Sequence, residues 1–95
     1  MTVIHQPDKK RFAIELETAT AITEYMIVGE KIIFTHTEVP IGHEGKGIAS
    51  LLAKAALDYA RENSFRVMPI CPYVGGYIKR HPEYKDLLQE GFSVD

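Results

Sequence analysis

Residues 35–61, THTEVPIGHEGKGIASLLAKAALDYAR, decide the fold of this 95-residue chain. The stretch opens as a strand that ends at Val39 and Pro40, since proline has no N–H to give a central ladder. Gly42, Gly45 and Gly47 then fall within six residues. Glycine adopts positive φ and lets backbone approach closely, so this loop can turn N–H groups toward an anion. Beyond it, Ile48, Leu51, Leu52, Ala55, Ala56 and Tyr59 recur at helical spacing. Lys46, Ser50, Lys54, Asp58 and Arg61 lie mostly on the other face, which predicts an amphipathic helix with one buried stripe. A helix N-terminus adds unpaired N–H donors and the positive end of the macrodipole. Strand, glycine loop and helix together predict a cradle for a pyrophosphate, with a plain strand-to-helix connection as the alternative. The spacing is G-x-x-G-x-G, so it matches neither the dinucleotide fingerprint G-x-G-x-x-G nor a P-loop, which needs Lys-Ser or Lys-Thr after its last glycine.

Four strands precede the loop. Residues 2–5 form a short strand, and Pro7, Asp8, Lys9 and Lys10 carry turn chemistry. Residues 11–16 alternate Phe12, Ile14 and Leu16 against Arg11, Ala13 and Glu15, a strand with one wet face. Residues 21–28 are rich in β-branched and aromatic side chains. Gly29-Glu30 fits a two-residue hairpin with glycine first, as a type II′ turn prefers, and residues 31–39 complete an antiparallel meander.

After the loop, the helix is predicted to end near Glu62, with Asn63 in the left-handed cap conformation. Residues 66–71 read as a buried fifth strand, and a crossover of this length implies parallel pairing with the fourth. Residues 73–80 predict a second, shorter helix stopped by His81-Pro82. Residues 83–88 add a helical turn, and residues 89–95 are expected to fray. The fold class is α+β: an antiparallel four-stranded meander, a helix, a parallel fifth strand and a short C-terminal helix.

Composition narrows the function. At 45% hydrophobic and 25% charged residues, the chain is expected to make one globular domain over residues 1–95. A net charge of −2 supplies no basic field for nucleic acid or an anionic membrane. No apolar run approaches the roughly 18 residues of a membrane span, and the N-terminus lacks the apolar core of a signal peptide. One cysteine cannot make an internal disulfide and suits a reducing, cytoplasmic location. The histidines and Cys71 have no metal-ligand spacing, so no metal site is predicted.

Glu44-Gly45-Lys46-Gly47-Ile48-Ala49 resembles the Gln/Arg-x-x-Gly-x-Gly/Ala signature of the GNAT N-acetyltransferase superfamily, with a glutamate where Gln or Arg is usual. His36-Thr37-Glu38-Val39, Cys71-Pro72-Tyr73 and Arg80-His81-Pro82-Glu83-Tyr84 resemble stretches of a compact branch of that superfamily. The likeness covers roughly residues 3 to 88 and implies a minimal GNAT fold without the first two helices and last strands of larger members. It also implies acetyl-CoA as co-substrate and an amine, small molecule or protein, as acceptor. Backbone amides of Gly45, Lys46, Gly47, Ile48 and Ala49 would hold the pyrophosphate, and a carboxylate at Glu44 repels it unless it points away. The end of the fourth strand, from Glu38 through Val39 to Ile41, would present an N–H to the acetyl carbonyl. Tyr73 would line the acetyl end of the site, and Lys79 and Arg80 are placed to meet the 3′-phosphate or pantetheine. Tyr77 stands near the position of a family tyrosine that returns a proton to the CoA thiolate, although His81-Pro82 replaces the Gly-Phe that follows it there.

Acetyl transfer needs a polarised carbonyl, a base for the amine and an acid for the thiolate. His36 and Glu38 share one face of the fourth strand, about 7 Å apart at two residues' rise, and either suits the base role. Cys71 ends the fifth strand, where ligands of open sheets bind. It is an inert core residue, a residue lining the site, or a nucleophile that carries the acetyl group. The functional expectation is an acetyl-CoA-dependent N-acetyltransferase, by direct transfer or through acetyl-Cys71. The alternative is a non-catalytic module that binds CoA or acetyl-CoA, or an interaction domain.

Overall fold

A computed structural model describes residues 1–94 of the chain. Among these, β1 (Ile4–Gln6), β2 (Arg11–Glu15), β3 (Thr20–Val28), β4 (Lys31–Glu38) and β5 (Arg66–Pro69) make one sheet in sequence order. The first four strands pair antiparallel and β4 pairs β5 in parallel. α1 (Ile48–Glu62) makes the crossover, and α2 (Pro72–Arg80) follows β5. The β3–β4 loop has two residues, with Gly29 at φ 60° and Glu30 outside the positive region, the sign pattern of a type II′ turn.

Side chains alternate across the sheet. Phe12, Ile14, Ala21, Thr23, Tyr25 and Phe34 share the helix-bearing face, each at 4% exposure or less. Against them α1 buries Ile48, Leu52, Ala53, Ala56, Leu57 and Ala60. This stripe is rotated from the predicted one: Leu51 is 39% exposed, while Ala53, Leu57 and Ala60 are buried. α1 touches the sheet on one flank and α2 with the 3-10 turn Pro82–Leu87 on the other, so its apolar arc is wider than one contact would need. Burial of one large aliphatic side chain stabilises by about 1.5–3 kcal/mol, and this arc anchors the helix that follows the glycine loop.

Two expectations about chain ends are corrected. At the end of α1 the left-handed residue is Ser64 (φ 58°), while Asn63 has φ −105°. Ser64 N–H reaches the Arg61 carbonyl at 3.2 Å and Phe65 N–H the Ala60 carbonyl at 2.9 Å, the paired bonds of a Schellman motif. Asn63 caps with its side chain instead, donating from Nδ2 to the Tyr59 carbonyl at 2.8 Å. The tail from residue 89 is held rather than frayed. Leu88 bridges Val67 in parallel, Gln89 N–H donates to the Val67 carbonyl at 2.9 Å, and Val94 packs on the core. The edge of β5 was open, and the tail satisfies it. The last residue of the predicted tail, at position 95, lies outside the described residues.

Candidate functional site

The β3–β4 register slips once. Glu24 faces His36 but Tyr25 faces Phe34, so Thr35 is the extra residue of a bulge. A one-residue insertion reverses the alternation downstream of it. Ile32 and Phe34 are buried before the bulge, and Thr37 is buried after it. His36 and Glu38 are thereby turned to the helix-free face, across from Glu24 and Ile22. There His36 Nε2 lies 3.3 Å from Glu38 Oε2, so the pair expected on one face is a hydrogen-bonded pair.

β4 and β5 pair from Lys31 and Arg66 only as far as Phe34 and Pro69. One more bond, Cys71 N–H to the Phe34 carbonyl at 2.8 Å, closes the contact. Pro69 and Pro72 have no N–H to extend it, and α2 begins at Pro72, so the strands part. The remainder of β4 runs on to Glu38 beside the opening.

The glycine loop enters α1 next to this split. Gly42, Gly45 and Gly47 hold φ of 92°, 80° and 77°. A Cβ at any of them would meet nothing within 4 Å, so backbone conformation and not crowding requires glycine there. Gly47 is the N-cap of α1 and no side chain caps the helix. Its first bond runs from Leu51 N–H to the Gly47 carbonyl at 3.0 Å, which leaves the N–H groups of Ile48, Ala49 and Ser50 without helical partners. These three residues line a cavity of about 320 Å³ together with Val39, His43 and Glu44. Gly45 and Gly47 complete the loop side of its wall, and Tyr73 and Arg80 form the α2 side.

Glu44 lines the cavity with its charge already engaged. Its Oε2 accepts the Gly42 N–H at 2.8 Å. Its own N–H and that of Gly42 hold its carboxyl below the usual carboxylate range. The carboxylate is thus drawn back toward the start of the loop, which is the condition for an anion cradle to survive it.

The structure sorts the predicted residues. Val39, Gly45, Gly47, Ile48, Ala49 and Tyr73 come together around the cavity. Lys46 is exposed outside the wall, and Ile41 is 96% exposed, because a turn closed by His43 N–H and the Pro40 carbonyl (3.1 Å) throws it into solvent. Cys71 is 1% exposed, with its thiol donating to Thr37 Oγ1 at 3.1 Å, and Thr37 Oγ1 lies 2.9 Å from Thr23 Oγ1. That chain of small polar groups ties the end of β5 to β4 and β3, while His36 faces away from it. Tyr77 is buried outside the cavity wall, stacked on His81 at 4.0 Å and tilted against Tyr84, and burial pushes its hydroxyl pKa up.

Two wall residues, Ser50 and His43, had no role in the sequence reading, while Arg80 was expected at the 3′-phosphate or pantetheine. Ser50 follows Gly47 by three residues, so helical spacing could have marked it. His43 has no such local signal. Among the described residues no group of three or more His, Cys, Asp or Glu side chains could hold a metal ion, and no helix is long and apolar enough to cross a membrane.

A bulged fourth strand, a parallel fifth strand that leaves it, and an uncapped helix beside the opening define the N-acetyltransferase-like class of α+β folds. A family model described as GCN5-related N-acetyl-transferase matches residues 11–87. The chain belongs to that family. Protein NATD1 of Mus musculus is 37% identical over 92 residues, covering 92% of this chain and 84% of its own length. Protein NATD1 of Danio rerio is 35% identical over 93 residues, covering 93% and 84%. A GCN5-like protein of Staphylococcus aureus, solved by NMR in solution, superposes with a TM-score of 0.69 over 97% of this chain and 90% of that one. At 24% identity this last likeness carries the fold alone.

Proposed function

We propose that this chain transfers an acetyl group from acetyl-CoA to an amine by direct attack. The observation that carries this reading is the uncapped N-terminus of α1 beside the cavity at the β4–β5 split. Acetyl-CoA, when bound, supplies the activated thioester and brings negative phosphates. The residues present suit it: glycines at positive φ, unpaired N–H groups at a helix start, and a carboxylate drawn aside. Backbone N–H groups from Gly45 to Ala49 hold the diphosphate, and the part of β4 beyond its pairing with β5 polarises the thioester carbonyl.

His36 is the base in this reading. A carboxylate only accepts, so Nε2–H is given to Glu38 and Nδ1 keeps its lone pair for the amine's proton. The amine then enters from the helix-free face, where both side chains are exposed. Cys71 packs rather than reacts, because its thiol is buried and spends its proton on Thr37. One observation favours a non-catalytic binder instead: His36 and Glu38 stand on the face away from the cavity, and Tyr77 lies outside its wall.

Release of CoA is followed in the presence of candidate amines for wild type, His36→Ala and Cys71→Ala, beside thermal shift and intact mass with acetyl-CoA. Direct transfer expects amine-dependent release that drops on the order of a hundredfold in His36→Ala, with no protein adduct. An acetyl adduct that vanishes in Cys71→Ala would move the reaction onto the thiol. Stabilisation by acetyl-CoA without amine-dependent release would favour the binder. No stabilisation well above micromolar cofactor would remove the acetyl-CoA reading, and an unchanged CoA affinity in Gly47→Glu would remove the cradle.

A further inference from the structure

We infer that Arg80 clamps the diphosphate from the α2 side of the cavity, supplying from that wall the positive charge that Glu44 does not bring to the loop. This rests on the cofactor reading above and adds the residue that neutralises the anion.

The chain has four arginines. Arg11 donates to Gln6 Oε1 at 2.7 Å, Arg61 to Asp86 at 2.8 Å, and Arg66 to the Leu88 carbonyl. Arg80 alone has no hydrogen bond or ion pair among the described residues, and it is the arginine in the cavity wall. Its guanidinium lies back along α2: a Cβ built on Gly76 would sit 3.3 Å from Nη1. The missing side chain at Gly76 therefore leaves a bed for Arg80 on the same helical stripe as Tyr73. Arg80 and Tyr73, with Pro72, also wall an adjoining recess of about 220 Å³, so Arg80 borders both spaces.

The electrostatics give this placement its meaning. The loop and α1 offer neutral N–H dipoles, and the carboxylate in that wall is held by Gly42. Net charge is −2, so no general positive field draws an anion to the site. A free guanidinium fork within reach of the cavity supplies two parallel donors and a full charge, the geometry that suits a phosphate.

Calorimetric titration with coenzyme A, dephospho-CoA and inorganic pyrophosphate tests this on wild type, Arg80→Ala, Arg80→Lys and Lys31→Ala. Arg80→Ala is expected to weaken all three ligands by about tenfold or more. Arg80→Lys recovers part of the loss, since it keeps the charge without the fork. Lys31→Ala, at an exposed lysine at the start of β4 and away from the cavity, leaves all three unchanged. A loss confined to coenzyme A would overturn the assignment, because Arg80 would then meet the 3′-phosphate. Equal losses in Arg80→Ala and Lys31→Ala, or no loss in either, would overturn it too. Arg80-dependent binding of pyrophosphate by a protein that ignores coenzyme A would sink the cofactor reading and keep the clamp; coenzyme A binding indifferent to Arg80 would do the reverse.

Discussion

Thr37 serves two neighbours at once, taking the Cys71 thiol proton and sharing a hydrogen bond with Thr23 in a buried setting. Thr37→Val keeps the shape and removes both bonds. Leaving the other two polar groups buried without a partner is expected to cost about 1–3 kcal/mol, measured by urea unfolding. An unchanged midpoint would mean that water replaces Thr37. His5 makes a second residue-scale case. It stacks on Phe12 at 4.3 Å, meets Tyr59 at 4.5 Å, and its Nε2 lies 2.6 Å from the Tyr25 hydroxyl. Burial lowers its pKa below 6.5. The unfolded chain therefore takes up this proton first as pH falls. Its contribution to stability is present above about pH 6.5 and lost as pH drops through the folded-state value. The melting temperature should fall more steeply between about pH 7 and 5 in wild type than in His5→Gln. Parallel slopes would remove His5 as the cause.

At the scale of elements, α2 carries two adjacent glycines whose roles differ. A Cβ on Gly75 would touch the Pro69 carbonyl at 3.9 Å and Val94 at 4.0 Å, ordinary contacts, and the residue has no left-handed φ. Gly75→Ala is thus expected to stabilise the protein by about 0.5–1 kcal/mol in thermal or urea melts, by cutting the entropy lost on folding. Destabilisation would show that the Pro69 side of α2 is tighter than these distances. Gly76 instead leaves room for Arg80. The bulge at Thr35 is the other decisive element, since it sends Thr37 inward and His36 with Glu38 outward. Strand alternation in the sequence marks β4 as a strand. It does not mark the slip, because Thr35, His36 and Thr37 are all polar and any register leaves a plausible pattern.

For the whole molecule, the C-terminal turn is locked to α1 by polar groups. Arg61 grips Asp86 at 2.8 and 2.9 Å and the Glu83 carbonyl at 2.9 Å. The Tyr84 hydroxyl donates to Asp58 at 2.6 Å, and Lys54 shares that carboxylate at 2.7 Å. Burial pushes the Asp58 carboxyl up, but the bonds from Lys54 and Tyr84 outweigh it and hold it below the usual range. The Arg61 hydrogen bond does the same for Asp86, and the bond to Asp58 pushes Tyr84 up to about 12. Depressed carboxylates lend stability above their unfolded pKa, about 4, and lose it as pH falls through the folded values. Tyr84→Phe should cost about 0.5–1.5 kcal/mol at neutral pH and shift acid unfolding to higher pH, followed by circular dichroism. An acid midpoint matching wild type would leave the clamp without a role.

Local pattern determined a great deal here. Hydropathy of period two before residue 40 and of helical period after Gly47 specified the strands and α1, because each period has one solution that buries its apolar face. A single crossover helix then required parallel β4 and β5, and the glycines marked the loop that opens beside them. Tertiary structure decided what lies between elements distant in sequence. It buried Cys71 against Thr37, moved Tyr77 out of the cavity, turned Leu51 out and Leu57 in, and brought Arg80 beside the start of α1. It also pinned the tail to β5. Apart from Tyr77, which stacks on His81 and Tyr84, these are set by partners tens of residues away, and a side chain's chemistry depends on such neighbours while its strand or helix depends mainly on the residues beside it.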